Sequence, residues 1–164
     1  MALRAVMQRL RRKLPNPQRR GAVIVETALV VPVFTVFLVG IMEFGHAYLV
    51  IGSLNAAARS GARVGAVEDA TTADVIDEVN RILSSAFKSG QATVMVKDAS
   101  IFDTTGVAPG SIDYSALPDV EVANLETGQL FIVRVQVAYN QVALLPPFYA
   151  KDLTLKAQSV MRHE

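Results

Sequence analysis

The chain has 164 residues, of which 51% are hydrophobic and 19% are charged. Its net charge of +1 is unevenly distributed: residues 1–20 carry seven basic and no acidic side chains, and the remainder carries nine basic and fifteen acidic ones. This asymmetry argues against a uniformly basic nucleic-acid-binding protein. Cysteine is absent, which excludes a disulfide framework, a thiol nucleophile and a Cys-based metal site. The only histidines are His46 and His163, which argues against a multi-His metal site.

The hydrophobic residues concentrate between Ala22 and Met42, a run of 21 residues in which Glu26 is the only ionisable side chain. A helix of this length spans about 30 Å, which is the thickness of the hydrocarbon core of a bilayer. The run is apolar on every face and follows a basic cluster, which favours a transmembrane helix over the core helix of a soluble domain. The positive-inside rule then predicts a cytoplasmic N-terminus and an extracytoplasmic C-terminal body.

Two targeting signals fit this N-terminus less well. A secretory signal peptide has an apolar region of about 7–15 residues that ends at a small-x-small site. Here the run is longer, and the nearest such triplet, residues 56–58, lies well past its end. The pairs Arg11-Arg12 and Arg19-Arg20 are not followed by the Phe-Leu that a twin-arginine signal usually has.

Glu26 is unusual because a carboxylate near the start of a membrane span is costly, although the headgroup layer could merely tolerate it. The string R-R-G-A-V-I-V-E that ends at Glu26 resembles the processing site of type IV pilin-like proteins. The resemblance implies that a membrane aspartic prepilin peptidase cleaves between Gly21 and Ala22 and removes the basic leader, residues 1–21. Glycine before the scissile bond would offer the protease an extended, unhindered backbone. Glu26 of a neighbouring subunit would then neutralise the new amine of Ala22 during assembly.

The sequence after the apolar run predicts that the helix continues. Residues 43–66 are rich in Ala and contain no Pro, so the rod covers residues 22–66, roughly 65–70 Å, with an expected bend at Pro32. Small residues recur at Ala57, Gly61 and Gly65, on one face. This stripe packs closely either against the protein's own body or against another helix.

The order of these elements is similar to the TadE-like family of tight-adherence (Flp-type) pilus assembly proteins, which are minor pseudopilins. The residues that carry the resemblance are Arg20-Gly21-Ala22, Val25-Glu26-Thr27, a G-x-x-E-x-G pattern at residues 40–45, and an A-A-R-x-G-A-R pattern at residues 57–63. In these patterns the candidate helix-packing and motif residues are Gly40, Glu43, Gly45, Arg59, Gly61 and Arg63. Two residues depart from the family: His46 replaces a frequent Arg, and Thr27 replaces the Tyr of major Flp pilins.

Arg59 and Arg63 are four residues apart and therefore share a helix face. They either pair with acidic residues of the body or of a partner, or form a solvated basic face. Sequence alone leaves both readings open.

Residues 67–164 predict a small α+β domain. Thr71-Thr72 with Asp74 has the spacing of a capping box, and apolar residues at helical spacing predict a helix over 72–88. Alternation with period two predicts strands at Thr93–Lys97, Leu130–Ala138 and Leu153–Met161, with a short fourth strand near Val120–Val122. The expected fold is a long N-terminal transmembrane helix extending into a domain with one further helix and a three- to four-stranded antiparallel sheet, whose apolar face the helices cover.

Two connections in this domain have distinctive compositions. The connection from Asp98 to Gly128 is acidic, but its carboxylates lack the spacing of a calcium loop, so we expect a solvated acidic loop and no metal. Residues 144–149 read L-L-P-P-F-Y, an apolar loop that either packs on the body or meets a partner. Packing on the body is the expectation.

The sequence therefore predicts a pseudopilin of the inner membrane that acts in assembly of Flp/Tad-type pili. Its expected partners are membrane lipid, a prepilin peptidase, other pilins or pseudopilins and Tad assembly components. Neither a cofactor, a small-molecule substrate nor a nucleic acid is expected, and no catalytic constellation predicts an enzyme. The alternative is an uncleaved single-span membrane protein with an extracytoplasmic binding domain.

Overall fold

A computed structural model describes residues 17–88, 90–104, 108, 110 and 112–164, with side chains from residue 21 onward. It confirms the α+β fold class: a long N-terminal apolar helix, one further helix and a three-stranded antiparallel sheet. Most of the predicted basic leader, residues 1–16, lies outside the described residues. The chain divides into two compact units, the first ending at Ile41 and the second comprising Met42–Glu164.

The first helix, α1, extends over Pro17–Gly65. Its C-terminal end agrees with the sequence prediction, but it begins five residues before Ala22. Pro17 suits the first helical position, because the backbone N–H that proline lacks has no acceptor there. The helix also continues through Pro32. Thr27 and Thr35 donate their hydroxyl hydrogens to the carbonyl oxygens of Val23 and Val31, which satisfies these polar groups within the apolar run.

The second helix, α2, covers Thr72–Leu83 and begins with the predicted capping box. The Asp74 amide donates to the Thr71 hydroxyl oxygen, and the Thr71 amide donates to the Asp74 carboxylate at 2.9 Å. The predicted end near residue 88 is wrong, because α2 ends five residues earlier. The hydroxyls of Ser84 and Ser85 donate to the carbonyls of Arg81 and Ile82, and such local hydrogen bonds compete with continued helix.

The sheet has the order β1-β2-β3, with β1 at Thr93–Asp98, β2 at Leu130–Ala138 and β3 at Thr154–Arg162. Both pairings are antiparallel. Central β2 buries the predicted apolar face, which consists of Phe131, Val133, Val135 and Val137. The fourth strand near Val120–Val122 does not form. A single bridge joins Lys97 to Asp119, and a short 3-10 turn follows at Val122–Asn124.

Two further differences concern the faces of the sheet. Leu153, expected on the apolar face of β3, precedes that strand and is exposed. Ile132 lies on the same side of β2 as Arg134 and Gln136 but is fully buried. It pairs with the buried Lys97, whose ammonium forms a 2.8 Å ion pair with Asp119. The connection before β2 therefore covers part of the second face, which period-two alternation does not predict.

The stripe of small residues on α1 packs within the body. A Cβ atom on Gly61 would lie 2.5 Å from Val79 Cγ2, and one on Gly65 would lie 2.8 Å from Val75 Cγ2 and 3.0 Å from Phe131 Cε2. Both glycines therefore let α2 and the sheet approach the α1 backbone closely. Of the two packings that the sequence left open, the structure shows the one within the chain.

A polar contact lies beside this apolar packing. Ser60 donates to the Glu78 carboxylate at 2.7 Å, and Arg81 binds the same carboxylate through two hydrogen bonds of 2.8 Å. The hydrogen bonds from Arg81 and Ser60 lower the pKa of Glu78 to about 2. Glu78 thus remains ionised at neutral pH and links α1 to α2.

We expect the substitution Gly61→Ala to destabilise the body by about 1–3 kcal/mol, because the stiff side chain of Val79 cannot move far enough to admit a methyl group. The measurement is chemical unfolding of the full chain in detergent, followed by circular dichroism. Gly52→Ala is the matched control: nothing lies within 4 Å of that position on the same helix, so alanine should stabilise it by up to about 1 kcal/mol. Equal stability of the two variants would contradict the close packing.

Candidate functional site

The predicted processing junction lies inside a helix. Gly21 and Ala22 are exposed members of α1, and nothing lies within 4 Å of a Cβ atom built on Gly21. The backbone at this position is therefore helical in the uncleaved chain, and the extended backbone that glycine would offer a protease stays a prediction. A protease would have to unwind the helix locally, and glycine lowers the cost of unwinding by about 1 kcal/mol relative to alanine.

Among the described residues, nothing covers Glu26 or the large apolar side chains around it. Glu26 is exposed, and within Gly21–Gly65 the most apolar window of 18 residues has a mean hydropathy of 2.5 with none of it buried. A core helix of a soluble domain would bury its apolar side chains in its own protein. This bare apolar helix is long enough to cross a membrane.

Glu43, the acidic residue of the G-x-x-E-x-G pattern, binds a loop from the other end of the chain. Its carboxylate accepts hydrogen bonds from three consecutive backbone amides: Phe148 at 3.2 Å, Tyr149 at 3.0 Å and Ala150 at 2.6 Å. Pro146 and Pro147, just before these donors, have no N–H to offer. We call this arrangement the Glu43 clasp. It comprises the Glu43 carboxylate and the amides of residues 148–150.

The Glu43 clasp extends to two aromatic side chains. The buried Tyr139 hydroxyl donates to the Glu43 carbonyl oxygen at 3.0 Å, and His46 Nδ1 lies 3.3 Å from the same hydroxyl. Because the tyrosine hydrogen is already donated, the hydroxyl oxygen accepts from His46 and Nδ1 carries the hydrogen. His46, the departure from the family pattern, thus takes part in the same network.

The clasp also sets the ionisation of its members. Glu43 directly follows the apolar run that ends at Met42. Burial raises its pKa, but the hydrogen bonds from Tyr149, Ala150 and Phe148 outweigh burial and leave the pKa below its usual value. Burial raises the pKa of Tyr139, and the neighbouring Glu43 charge raises it further. An ionised Glu43 and a neutral, donating Tyr139 are therefore the stable pair at neutral pH.

The comparison with known families covers this part of the chain. Residues 21–63 match the family model of the TadE-like protein. This confirms the resemblance over those residues, which we call the TadE-like segment. Neither the curated proteins nor the solved structures contain a match to the chain. The TadE-like segment begins at Gly21, contains Glu26 and Glu43, and ends at Arg63, before the sheet.

The remaining motif residues of the TadE-like segment are distributed differently. Gly40 and Gly61 are buried, whereas Gly45, Arg59 and Arg63 are exposed. The positive charge of Arg63 contributes to the lowered pKa of Glu78. Neither arginine lies close to Glu43 in sequence, and the clasp that the structure reveals uses backbone donors instead.

Sequence reasoning missed the partner of Glu43 because three backbone amides leave no pattern of side chains. Only two signals pointed toward it. Glu43 itself is an acidic residue directly after an apolar run, and the Pro-Pro pair fixes the backbone of the 144–149 loop. Neither signal predicts that Glu43 contacts residues 148–150, which lie 105 to 107 positions later in the chain.

Most carboxylates in the acidic connection between β1 and β2 form ion pairs or hydrogen bonds with other residues of the domain. Asp103 pairs with Arg162 at 2.7 Å, Asp119 pairs with Lys97, and Glu121 accepts from the Thr72 amide at 2.7 Å. Asp113 accepts hydrogen bonds from Ser115. Within the described ranges, no group of three or more His, Asp or Glu residues is arranged to hold a metal ion.

We expect Glu43→Ala to release the loop of residues 148–150, because its three amides lose their common acceptor. Hydrogen–deuterium exchange on the full chain in detergent should show faster exchange at these amides, with β2 unchanged. Glu43→Gln, which keeps one acceptor oxygen, should give an intermediate rate. Glu68→Ala removes an exposed carboxylate elsewhere in the body and serves as the control. Unchanged exchange in Glu43→Ala would exclude the clasp.

Proposed function

We infer from the match and the exposed apolar helix that the chain is a membrane-anchored protein related to Tad pili. We propose that this protein is a pseudopilin that acts in pilus assembly after a prepilin peptidase removes residues 1–21. The observation that carries the proposal is that the TadE-like segment begins at Gly21 and continues into an apolar helix that no other described residue covers. A helix without cover needs either lipid or neighbouring helices around it.

The proposed orientation has the N-terminus in the cytoplasm and residues 67–164 outside it. The seven basic side chains of residues 1–20, with no acidic one, support this through the positive-inside rule. In this proposal the peptidase acts at the cytoplasmic face, where Gly21 precedes the apolar run. The protein is not an enzyme itself; it works through contacts with other pilins, pseudopilins and Tad assembly components.

Glu26 has a specific task in this proposal. Cleavage leaves a positive amine on Ala22 at the edge of the bilayer, and Glu26 is exposed on α1, available to a second subunit. A carboxylate and an amine from neighbouring subunits attract each other more strongly in a low-dielectric environment than in water. Charge pairing would therefore align subunits along their helices.

One observation favours the alternative, an uncleaved single-span protein with an extracytoplasmic binding domain. Helix α1 begins at Pro17 and runs through the Gly21–Ala22 bond without interruption. A continuous helix resists proteolysis because its backbone must unwind before a protease can bind it. The processing experiment separates the two functions.

Co-expression with a cognate prepilin peptidase should shorten the chain by 21 residues and leave Ala22 at the N-terminus. Intact-mass spectrometry measures the mass that is lost, and this mass identifies the new N-terminal residue. Gly21→Val should block processing, because a branched side chain hinders the backbone at the scissile bond. Gly52→Val, the same change at another exposed helix position with nothing within 4 Å, should be processed normally. A full-length chain in cells that make pili would favour the uncleaved anchor.

Glu26→Gln should be processed like the native chain but should assemble poorly, because the amide keeps the size of the side chain and removes its charge. Processing is scored by mass spectrometry, and assembly by the amount of sheared pili and by crosslinking between subunits. Thr27→Ala changes the exposed neighbour and is the control for assembly. Normal pili in the Glu26→Gln strain would refute charge pairing.

A further inference from the structure

The loop of residues 144–149 is exposed, contrary to the expectation that it packs on the body. Exposed fractions are 79% for Leu144, 55% for Leu145, 70% for Phe148 and 44% for Tyr149. Large apolar side chains grouped on one surface usually mark an interaction site. The loop also contains no charged residue, which separates it from an ordinary solvated connection.

The backbone of this loop is nevertheless held firmly. The Glu43 clasp fixes the amides of residues 148–150, and the two prolines restrict the residues before them. The ring of Tyr149 lies 6.1 Å from that of Phe44 and 4.9 Å from that of Phe148, measured between centroids. An ordered loop therefore presents its apolar side chains outward instead of collapsing onto the core.

The position of Glu43 on α1 indicates which environment surrounds the loop. Glu43 and Phe44 are the first residues after the apolar run that ends at Met42, and one residue advances a helix by about 1.5 Å. The loop is therefore attached to α1 where its membrane-spanning run ends. On α1 itself, Phe44 and Tyr48 are 57% and 76% exposed, at the same end of the body.

The composition of this region matches the interface between lipid and water. Aromatic rings, tyrosine above all, concentrate at the headgroup level of membranes, where one end is apolar and the other is hydrated. Lys151 follows the loop and is exposed, and lysine stems commonly lie along apolar surface with the ammonium among the headgroups. The Glu43 carboxylate is turned inward onto backbone amides. The exposed carboxylate of Asp152, which follows Lys151, accepts a hydrogen bond from the Asn140 side chain at 2.8 Å.

We propose that the loop of residues 144–149 inserts its leucine and aromatic side chains into the outer interface of the membrane that α1 spans. The body thereby rests on the lipid surface through a second contact besides its helix. This inference rests on the membrane anchoring in the proposed function but not on cleavage or on pilus assembly. The loop contacts a lipid bilayer, because Glu43 holds it at the end of the membrane-spanning run.

The chain contains no tryptophan, so single tryptophans report on chosen positions without background. Three variants of the full chain, Phe148→Trp, Phe37→Trp and Val67→Trp, are reconstituted into phosphatidylcholine vesicles whose acyl chains carry bromine near the carbonyl end or near the methyl end. All three positions are exposed in the structure. Phe37 lies within the apolar run, and Val67 follows the end of α1, which makes them the membrane-buried and the aqueous reference.

Phe148→Trp should lose much of its emission to bromine near the carbonyl end and less to bromine near the methyl end. Phe37→Trp should be quenched by both lipids and Val67→Trp by neither. Adding Glu43→Ala to Phe148→Trp should reduce quenching, because the loop is no longer fixed at the end of the run.

Three results would overturn the inference and can be told apart. If Phe37→Trp is quenched while Phe148→Trp behaves like Val67→Trp, the helix is anchored and the loop stays in water. If Phe37→Trp is not quenched, the membrane anchoring of the proposed function fails and the inference fails with it. A blue-shifted, unquenched Phe148→Trp that depends on protein concentration would assign the loop to a second copy of the chain, which also refutes lipid contact.

Discussion

The Glu43 carboxylate accepts hydrogen bonds from three consecutive backbone amides, and the structure around residue 43 depends on this contact. Buried N–H groups are costly when they lack an acceptor, and a buried carboxylate is costly when it lacks donors. In the Glu43 clasp the carboxylate gives the amides their acceptor, and the amides give the carboxylate its donors. The loop then holds its exposed apolar side chains in place, and Tyr139 and His46 become fixed around the Glu43 backbone.

The C-terminal part of the same helix is held mainly by close packing, beside the hydrogen bond from Ser60 to Glu78. Gly61 and Gly65 permit α2 and Phe131 to approach the α1 backbone at distances that a Cβ atom would prevent. The two regions of the TadE-like segment thus act differently within the body. Glu43 positions a loop through hydrogen bonds, and Gly61 brings α2 into van der Waals contact with α1. Gly65, just after the segment, does the same for Phe131 of the sheet.

The sequence predicted the elements well because their signals are local. Hydrophobic length predicted α1, the Thr71 and Asp74 spacing predicted the start of α2, and alternation predicted β2 to the residue. The errors arise where local rules compete with other contacts. Ser84 and Ser85 end α2 early, and the buried Ile132 depends on a connection that folds over the second face of the sheet.

The candidate site was predictable only in part. Gly21 and Glu26 stand in a contiguous string, so sequence suggests their roles, which await the processing and assembly experiments. The partner of Glu43 is different, because backbone amides carry no residue identity and lie more than a hundred positions away. Likewise the exposure of the 144–149 loop reflects where Glu43 holds its backbone, and composition alone favoured burial.

The C-terminal end of α1 is completed by residues that lie about a hundred positions further along the chain. His163 Nδ1 lies 3.0 Å from the carbonyl oxygen of Gly65, 98 positions away, and the amide of Glu164 donates to the carbonyl of Ala66. Contacts between such distant positions form slowly, because a long loop must close before any bond is made. The far end of α1 is therefore enclosed by long-range contacts that form slowly, whereas the helix itself needs only hydrogen bonds between residues four apart.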